Sequence, residues 1–471
     1  MTKHIVIVGG GLAGISAAEA LSRNSSESRV DVTLIESRRQ LGGRAGSFTD
    51  RKSGDSVDFC QHVAMGCCTN FLNLAHHLGI RDEFNRYDEL LFLHPTGGAS
   101  RFRGSRLLPP PFHLAGSFGR LKYLSGRQRI QIAKAVFRLM RCPDHRLTPR
   151  LAGDWLRANG QNESTIRDFW DVFLVSALGE LTDRVSISTA RKVIIDGFAS
   201  HRRASDVWIP RKPLSDLFGQ QAAAHLIANG VAIRTGCDAK RITPSGPRFE
   251  LELNDSSIVP ADGVILAVPW HALNRIRWQE NHSLPIRNVQ ALADIPSSPI
   301  TGLHLWFDHP IMDVPHAVLV GTTAQWVFCD PIEQRSADEH YVQVVISASH
   351  SSKIDSRDEL LHTVLDELKH FFPAAQKAEL KRSKIVTDPN SVFSVRPEVE
   401  AIRPTTTTDH AGLLLAGDWV QSGWPATMEG AVRSGRLAAD HFSDAISDGT
   451  TFLSPDLTPG WLAQRLIAKS S

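Results

Sequence analysis

The 471-residue chain is sparing with cysteine and tyrosine, six and three respectively. The cysteines (Cys60, Cys67, Cys68, Cys142, Cys237, Cys329) form no CxxC pair and no metal-ligand spacing. That excludes a disulfide framework or a metal site read from spacing, and scattered thiols of this kind fit a reducing cytosol. No apolar run reaches the length of a membrane span, so any contact with a bilayer is expected from one side only. The first strand starts at His4, which leaves no room for a signal peptide. Neither sign of charge dominates: 52 Lys and Arg stand against 50 Asp and Glu, a net charge of +2, which does not suit a nucleic-acid binder. There is no internal repeat and no low-complexity tract. The length leaves room for two or three domains with ample core.

What is present begins at once. The apolar run His4-Ile5-Val6-Ile7-Val8 leads without a spacer into Gly9-Gly10-Gly11-Leu12-Ala13-Gly14, and a helical pattern follows to about Ser22. This is GxGxxG between a strand and a helix. Gly9 suits the tight turn, Gly11 a close approach of backbone to a pyrophosphate, and Gly14 close packing of helix on strand. The free N–H groups at the helix start, from Leu12 and Ala13 onward, then face the phosphates. A second strand, Arg29-Val30-Asp31-Val32-Thr33-Leu34-Ile35, ends at Glu36, 22 residues after Gly14, where a carboxylate can bind ribose hydroxyls; Ser37 follows it. Further on, Leu41-Gly42-Gly43-Arg44 offers a second close backbone approach and a planar cation suited to a diphosphate.

The segment Val57 to Thr69 is rich in small and polar groups and holds Asp58, Gln61 and His62; a helical pattern follows from Asn70 to Leu78. Between Arg101 and Arg141 stand ten Lys and Arg and no acidic residue. Pro109-Pro110-Pro111 makes the first half of that stretch a loop, while Arg127 to Arg141 has amphipathic-helix spacing. Residues Asp154 to Ser188 read as mostly helical. From about Val231 the pattern turns to strands: Val231–Arg234, Arg248–Leu253, Asp262–Pro269, Thr301–Phe307 and Tyr341–Ser347. Ile354 to Phe372 is helical. Near the end Gly412-Leu413-Leu414-Leu415-Ala416-Gly417-Asp418 reads as a strand closing on Gly-Asp, and Ala426 to Gly435, with Thr427, Met428 and Glu429, opens the last long helix.

A nicotinamide dehydrogenase would complete its site within about the first 200 residues. Here a second glycine-acid strand stands some 400 residues after the first. The order of GxGxxG, Glu36, Leu41-Gly42-Gly43-Arg44 and the Gly-Asp strand resembles the amine oxidase and phytoene desaturase superfamily of flavoproteins. Asp58-Phe59-Cys60-Gln61-His62-Val63, Gly66-Cys67-Cys68-Thr69, Phe169–Leu178 and Trp424–Ala431 are similar to its squalene-associated branch, the hydroxysqualene dehydroxylases. The likeness runs from His4 to about Ala439. The chain departs from that branch at Phe59-Cys60, where its members carry Asn-Gly.

The resemblance implies an α/β fold: a Rossmann-like FAD-binding domain of the glutathione-reductase and amine oxidase type, with a discontinuous α+β substrate domain. Residues 1–85, 205–290 and 390–445 would form the FAD-binding part. Residues 86–204 and 291–389 would form the substrate part (helical over 105–204), and 446–471 a C-terminal tail. It implies a non-covalent FAD held by Gly9, Gly11, Leu12, Ala13, Gly14, Glu36, Ser37, Gly42, Gly43, Arg44, Gln61, His62, Gly417, Asp418, Thr427, Met428 and Glu429. In that arrangement Asp418 accepts hydrogen bonds from the ribityl chain or diphosphate, and the helix start at Thr427-Met428-Glu429 points at the flavin's pyrimidine edge. The implied reaction is reductive removal of an allylic hydroxyl from hydroxysqualene, on the route to hopanoids or other triterpenoids, with His62 as proton donor helped by Asp58. With one dinucleotide fingerprint only, the reductant would be NADPH binding transiently, or a separate donor protein. The partner is thus a long apolar isoprenoid. The basic stretch 101–141 and the tail Trp461–Lys469 add an expected peripheral contact with an anionic membrane. Alternative readings are a carotenoid desaturase of the phytoene type, an amine oxidase, for whose aromatic cage Tyr87, Tyr123 and Tyr341 are scant supply, and a flavin-bearing protein without turnover.

Overall fold

The run His4–Val8 has apolar side chains on both faces, as a central strand covered on two sides requires. In this computed structural model, which describes residues 2–23, 30–51, 54–143, 146–147, 149–279, 282–329, 339–351, 354, 356–443 and 451–468, it forms β1 (Lys3–Val8). The glycines turn the chain into α1 (Leu12–Ser22), and β2 (Val30–Glu36) returns parallel to β1. Arg29 lies outside the described residues. Three strands from far along the chain complete the sheet: Ala232–Thr235 beside β2, Gly263–Leu266 beside β1, and Leu413–Leu415 at the far edge, all parallel. All eleven residues of α1 are buried, Ser16 and Glu19 included. Its small side chains let the last long helix, Met428–Ser443, cross it closely. A Cβ on Gly435 would stand 2.2 Å from the Ala13 carbonyl oxygen, and Ser16 Oγ donates to Val432 O at 3.0 Å.

The other half is built on a seven-stranded sheet and a group of helices. Helix α2 (Thr69–His77) leads toward it, and α3 (Gly126–Arg141), started by a Ser125–Gln128 capping box, lies in the helical part. The sheet's longest strands are β3 (Ser297–Phe307) and β4 (Leu380–Phe393), paired antiparallel at one edge. The order continues His340–Ser347, Trp326–Cys329, His316–Leu319, Glu89–His94 and Gly98–Arg103. Only His316–Leu319 with Glu89–His94 pairs in parallel. The helix Arg357–Phe371 covers one face, burying Val364 and Leu368 against Leu303 and Leu305.

One expectation is corrected. The tail was expected to be amphipathic from Trp461 to Lys469, but the helix spans only Ala463–Leu466, and Lys469 lies outside the described residues, as do 446–450. The stretch Asp154–Ser188 is mostly helical, as expected: helix at Ala152–Ala158 and from Glu163 to Leu178 is separated by turns, and Gly179, at φ 66°, ends the second piece in a left-handed cap. The long strand β4 was not expected at all. Its Asp388-Pro389-Asn390 reads as a turn. The structure accommodates it as a bulge, the pairing stepping from Ile300 with Asp388 to Ser298 with Val392.

A candidate dinucleotide site joining both ends of the chain

The first glycine loop is shaped by its surroundings. Gly9 has φ 111°, a conformation that only glycine adopts without strain, and its N–H donates to Ile35 O at 2.8 Å. A Cβ on Gly14 would lie 1.8 Å from the Gly9 carbonyl oxygen, so this glycine is dictated by the protein itself. Gly11 is different. A Cβ there would meet nothing nearer than the Gly43 Cα at 3.9 Å. The open approach is thus at Gly11, which precedes α1 and offers it no side-chain cap, leaving the first N–H groups of that helix, from Leu12 to Gly14, without side-chain partners. Glu36, buried at the end of β2, accepts from the N–H groups of Gly10 at 2.6 Å and Arg38 at 2.7 Å and from Ser37 Oγ at 3.1 Å. Those bonds aim its carboxylate at the loop.

The second glycine turn docks on the first. Gly42 N–H donates to Gly10 O at 2.8 Å, and Gly42 and Gly43 have φ of 109° and 60°. Arg44 then reaches across the molecule, donating through Nη2 to Asp418 Oδ1 at 2.5 Å and through Nη1 to the Ser391 carbonyl at 2.8 Å. Burial, the largest influence, works against its charge, but Asp418 and Asp388 more than offset it and hold the guanidinium protonated. One ion pair therefore joins the first motif to the last.

The loop bearing Asp418 is itself held from below. Gly417, at φ 146°, donates to Ser434 Oγ at 2.7 Å, and the Trp419 indole to Val268 O at 2.9 Å. The buried Arg403 donates to the carbonyls of Asp418 (3.1 Å), Trp419 (3.1 Å), Val420 (2.7 Å) and Trp424 (3.0 Å), with Glu400 as its counter-ion at 3.1 Å. Thr427 starts the last helix, its Oγ1 accepting from Gly430 N–H at 3.1 Å, with Met428 part-buried beside it. Glu429 does not face the cofactor position as the resemblance implies. Its buried carboxylate accepts from Asn70 N–H at 3.1 Å and Phe71 N–H at 2.7 Å, capping α2 instead.

The loop after Asp58 also departs from expectation. Asp58 accepts from Ser47 Oγ at 2.6 Å and from Leu214 N–H at 2.8 Å, so it braces two segments of backbone. Among the described residues it shows no hydrogen bond to His62, and the role its bonds do show is this bracing rather than help in proton donation. His62 Nδ1 lies 2.9 Å from the Cys60 carbonyl. A carbonyl can only accept, so Nδ1 carries the proton and, in the neutral ring, Nε2 is left as an acceptor. Burial, aided by Arg44, holds the imidazole below its ordinary value, with the Cys60 carbonyl and Asp388 opposing. His62 is therefore neutral near pH 7. Gln61 Nε2 makes only a long contact, 3.4 Å, to His62 O. Burial pushes the Cys60 thiol up to about 12, so it is not a thiolate.

Two parts of this site were missed in the sequence. Arg403 carries no motif. The β4 bulge, which brings Ser391 O and Asp388 to Arg44, lay hidden under a turn-like tripeptide. Beyond the loop the interior is apolar. Cys60 and Val63 pack on the same cluster as Phe169, Phe173, Phe198, Ile300 and Val392. The rings of Phe118, Phe169, Phe173 and Phe198 succeed one another at 5.7, 5.0 and 4.9 Å. Among the described residues no group of His, Cys, Asp and Glu could hold a metal ion, and no helix is long and apolar enough to cross a membrane.

The residues fit a dinucleotide cofactor: an open glycine approach, helix N–H groups without side-chain partners, a carboxylate at the end of the second strand, and an Arg–Asp pair joining the two motifs. Comparison with known proteins bears on which one. The profile of the flavin containing amine oxidoreductases matches residues 12–442. The 15-cis-phytoene desaturase of an Oncidium hybrid cultivar is 25% identical, covering 93% of this chain and 77% of its own. The hydroxysqualene dehydroxylase of Sinorhizobium fredii is 26% identical, covering 93% and 98%. Among solved structures, an oxidoreductase from Methanosarcina mazei superposes with a TM-score of 0.68 at 17% identity, over 92% of this chain and 98% of that one, a likeness of fold.

Proposed function

Since the chain belongs to the flavin-containing amine oxidoreductases, we propose that it binds FAD non-covalently in this groove and reduces hydroxysqualene to squalene. The proposal rests above all on the loop Asp58–Thr69. Its His62 is close enough to Arg44 to feel that charge, and its neighbours Cys60 and Val63 pack on an apolar cluster, which supports this reading. A long hydrocarbon bearing one hydroxyl would suit an apolar interior with a polar loop beside it. The similar dehydroxylase from Sinorhizobium fredii is also matched over nearly its whole length.

Reduced FAD bound here would supply a hydride to the allylic carbon, while the carbon–oxygen bond breaks and the hydroxyl takes up a proton and leaves as water. The chain's own part is to bind, align and keep dry. Gly11 and the α1 start, with Arg44 and Asp418, would hold the diphosphate, and Glu36 the ribose. The apolar interior excludes water that would quench a developing cation. His62 is the proton donor in its protonated fraction. Its lowered pKa makes that fraction small at pH 7 but a better proton donor than an ordinary imidazolium. The reductant that recharges the flavin is NADPH or a separate donor protein.

A second reading, desaturation of a phytoene-like polyene, has support in the Oncidium relative and shares every element of the cofactor site. One experiment separates them. Purified, FAD-loaded protein, chemically reduced without oxygen, is given hydroxysqualene and the products are analysed by mass spectrometry. Squalene is the expected product. Coloured polyenes made from phytoene by the oxidised protein, with no squalene in the first assay, would establish the desaturase, and protein that takes up no flavin would end both readings.

A further inference from the structure

The acid-free stretch 101–141 is not uniformly free. Arg101 and Arg103 are paired with Glu89 and Asp88 at 2.5 and 2.7 Å. Beyond Arg103 the chain forms a well-built loop that presents apolar side chains outward. Ser105 Oγ accepts from the N–H groups of Leu107 and Leu108 at 3.2 and 3.3 Å. Arg202 donates to the carbonyls of Ser105 (2.6 Å) and Leu108 (3.1 Å), and Ser105 N–H donates to His113 O at 2.7 Å. So held, Leu107 is 93% exposed, with Leu108 and Phe112 exposed beside it and Arg106 at the tip. A loop fixed at this many points and carrying a fully solvated leucine has an apolar surface to meet.

The C-terminal segment adds to the same patch. Gly460 packs on Pro110, a Cβ there lying 3.1 Å from the proline ring, and the next residue, Trp461, is 61% exposed with Arg465 over its ring at 5.7 Å. From there the segment runs to the end of α3, where Ala468 N–H donates to Met140 O at 2.7 Å. Helix α3 is apolar on two faces. Ile132, Ala135 and Leu139 are buried against the body. On the outside Arg127, Ile130, Lys134, Phe137 and Arg141 form an exposed stripe at helical spacing, Ile130 59% and Phe137 50% exposed. Arginine and lysine alternating with isoleucine and phenylalanine is the composition of a surface that lies in a lipid headgroup layer. Arg120 and Lys122, also exposed, stand between loop and helix.

We propose that the loop 105–112 with Trp461, backed by the outer stripe of α3, seats this protein on an anionic bilayer, Leu107, Leu108, Phe112 and Trp461 entering the interface and the surrounding cations meeting lipid headgroups. Charge complementarity and protruding, separated apolar tips favour a bilayer over a protein partner, whose core would be a contiguous apolar patch depleted of charge. The inference does not depend on which reaction the flavin performs.

The test is flotation of the FAD-loaded protein with vesicles of phosphatidylcholine alone and of phosphatidylcholine with about a third phosphatidylglycerol. Wild type is expected to float with the anionic vesicles, and less so at high salt. Leu107→Ser/Leu108→Ser/Trp461→Ser is expected to lower the bound fraction at least ~tenfold, since each apolar side chain withdrawn from the interface costs about a factor of ten. Ile130→Gln/Phe137→Gln is the second arm, and an unchanged flavin spectrum shows that each variant is folded. Wild type that stays with the soluble fraction at low salt overturns the proposal. So does an apolar triple variant that floats as well as wild type, which would reduce the effect to charge adsorption. Flotation only when an acidic protein is added would assign the surface to a protein partner and overturn it too.

Discussion

Arg403 has no part in any motif, yet the geometry makes it the support of the loop that carries Asp418. Its side chain is 4% exposed and lies over the Phe393 ring at 5.0 Å. Each hydrogen bond from a charged donor is worth about 1.5–3 kcal/mol, but bonds made by one group do not add. Truncating one member of a buried charged network costs about 3–5 kcal/mol, which serves as the estimate for Arg403→Met, a change that keeps length and removes every donor. The carbonyls that lose their partner belong to Asp418, Trp419, Val420 and Trp424 alone, so the cost falls on that loop. If the loop must be ordered before FAD can bind, apparent affinity falls by the fraction of molecules in which it is, about 10²–10⁴-fold for this energy. The whole chain should lose only a few degrees of Tm, because its enthalpy of unfolding is spread over far more residues. The assay is a flavin titration by fluorescence, alongside thermal unfolding of the protein without flavin. Arg403→Lys, which keeps the charge but loses the fork, should fall between. A folded Arg403→Met protein that holds FAD as tightly as wild type would refute the reasoning, and a collapse of Tm matching the loss of affinity would show that the support is global.

Three further outcomes are set by the geometry. Gly14→Ala should prevent folding, whereas Gly11→Ala should fold with a Tm within a few degrees of wild type and lose at least ~tenfold in flavin affinity; equal flavin content in purified Gly11→Ala and wild type would contradict the open-approach assignment. Because His62 must be protonated to donate and its pKa is held below the ordinary value, turnover should rise as pH falls below about 6.5. His62→Gln should lose that rise and about 10²–10⁴-fold in rate with FAD still bound, and a pH profile unchanged by the substitution would remove His62 from the chemistry. His113 is buried with neither ring nitrogen hydrogen-bonded, and burial, with Arg202 and His201, lowers it to about 4. The unfolded chain then binds the proton more readily, so stability present above pH 6.5 is lost as pH falls toward 4, by up to ~3 kcal/mol and less where water reaches the ring. His113→Phe should flatten this part of the stability profile in denaturant titrations at pH 7 and pH 5, and an equal acid loss in both proteins would exclude it.

The local part of the site was legible in the sequence. Strand, glycines, helix and Glu36 are contiguous or joined by one crossover, and each glycine's function follows from its spacing. The strand at Leu413–Leu415 and its Gly-Asp end could be matched to the first motif because both point at one ligand. What could not be read is what distant backbone does with a side chain. Asp58 looked like an acid's helper because its neighbour is His62; its partner proved to be an N–H at Leu214, far along the chain. Glu429 looked like part of a helix start facing a flavin, but the N–H groups it caps are at Asn70 and Phe71. Pro389 inside β4 argued for a turn by every local rule, and only pairing with β3 turns it into a bulge that delivers Ser391 O to Arg44. Periodicity states which face of a strand is buried, not which strand lies beside it.

The central parallel sheet takes its edge strand from Leu413–Leu415 and its first strand from Lys3–Val8. On a ribosome adding ~5–20 residues per second, roughly 20–80 s separate the two. Throughout that interval the nascent glycine loop waits beside an unsealed flank, with no Asp418 to meet Arg44. A ligand that needs both motifs can then be captured only after the strand Leu413–Leu415 and Asp418 have been made. Cells starved of riboflavin should therefore accumulate full-length but protease-sensitive product, rather than fragments arrested midway.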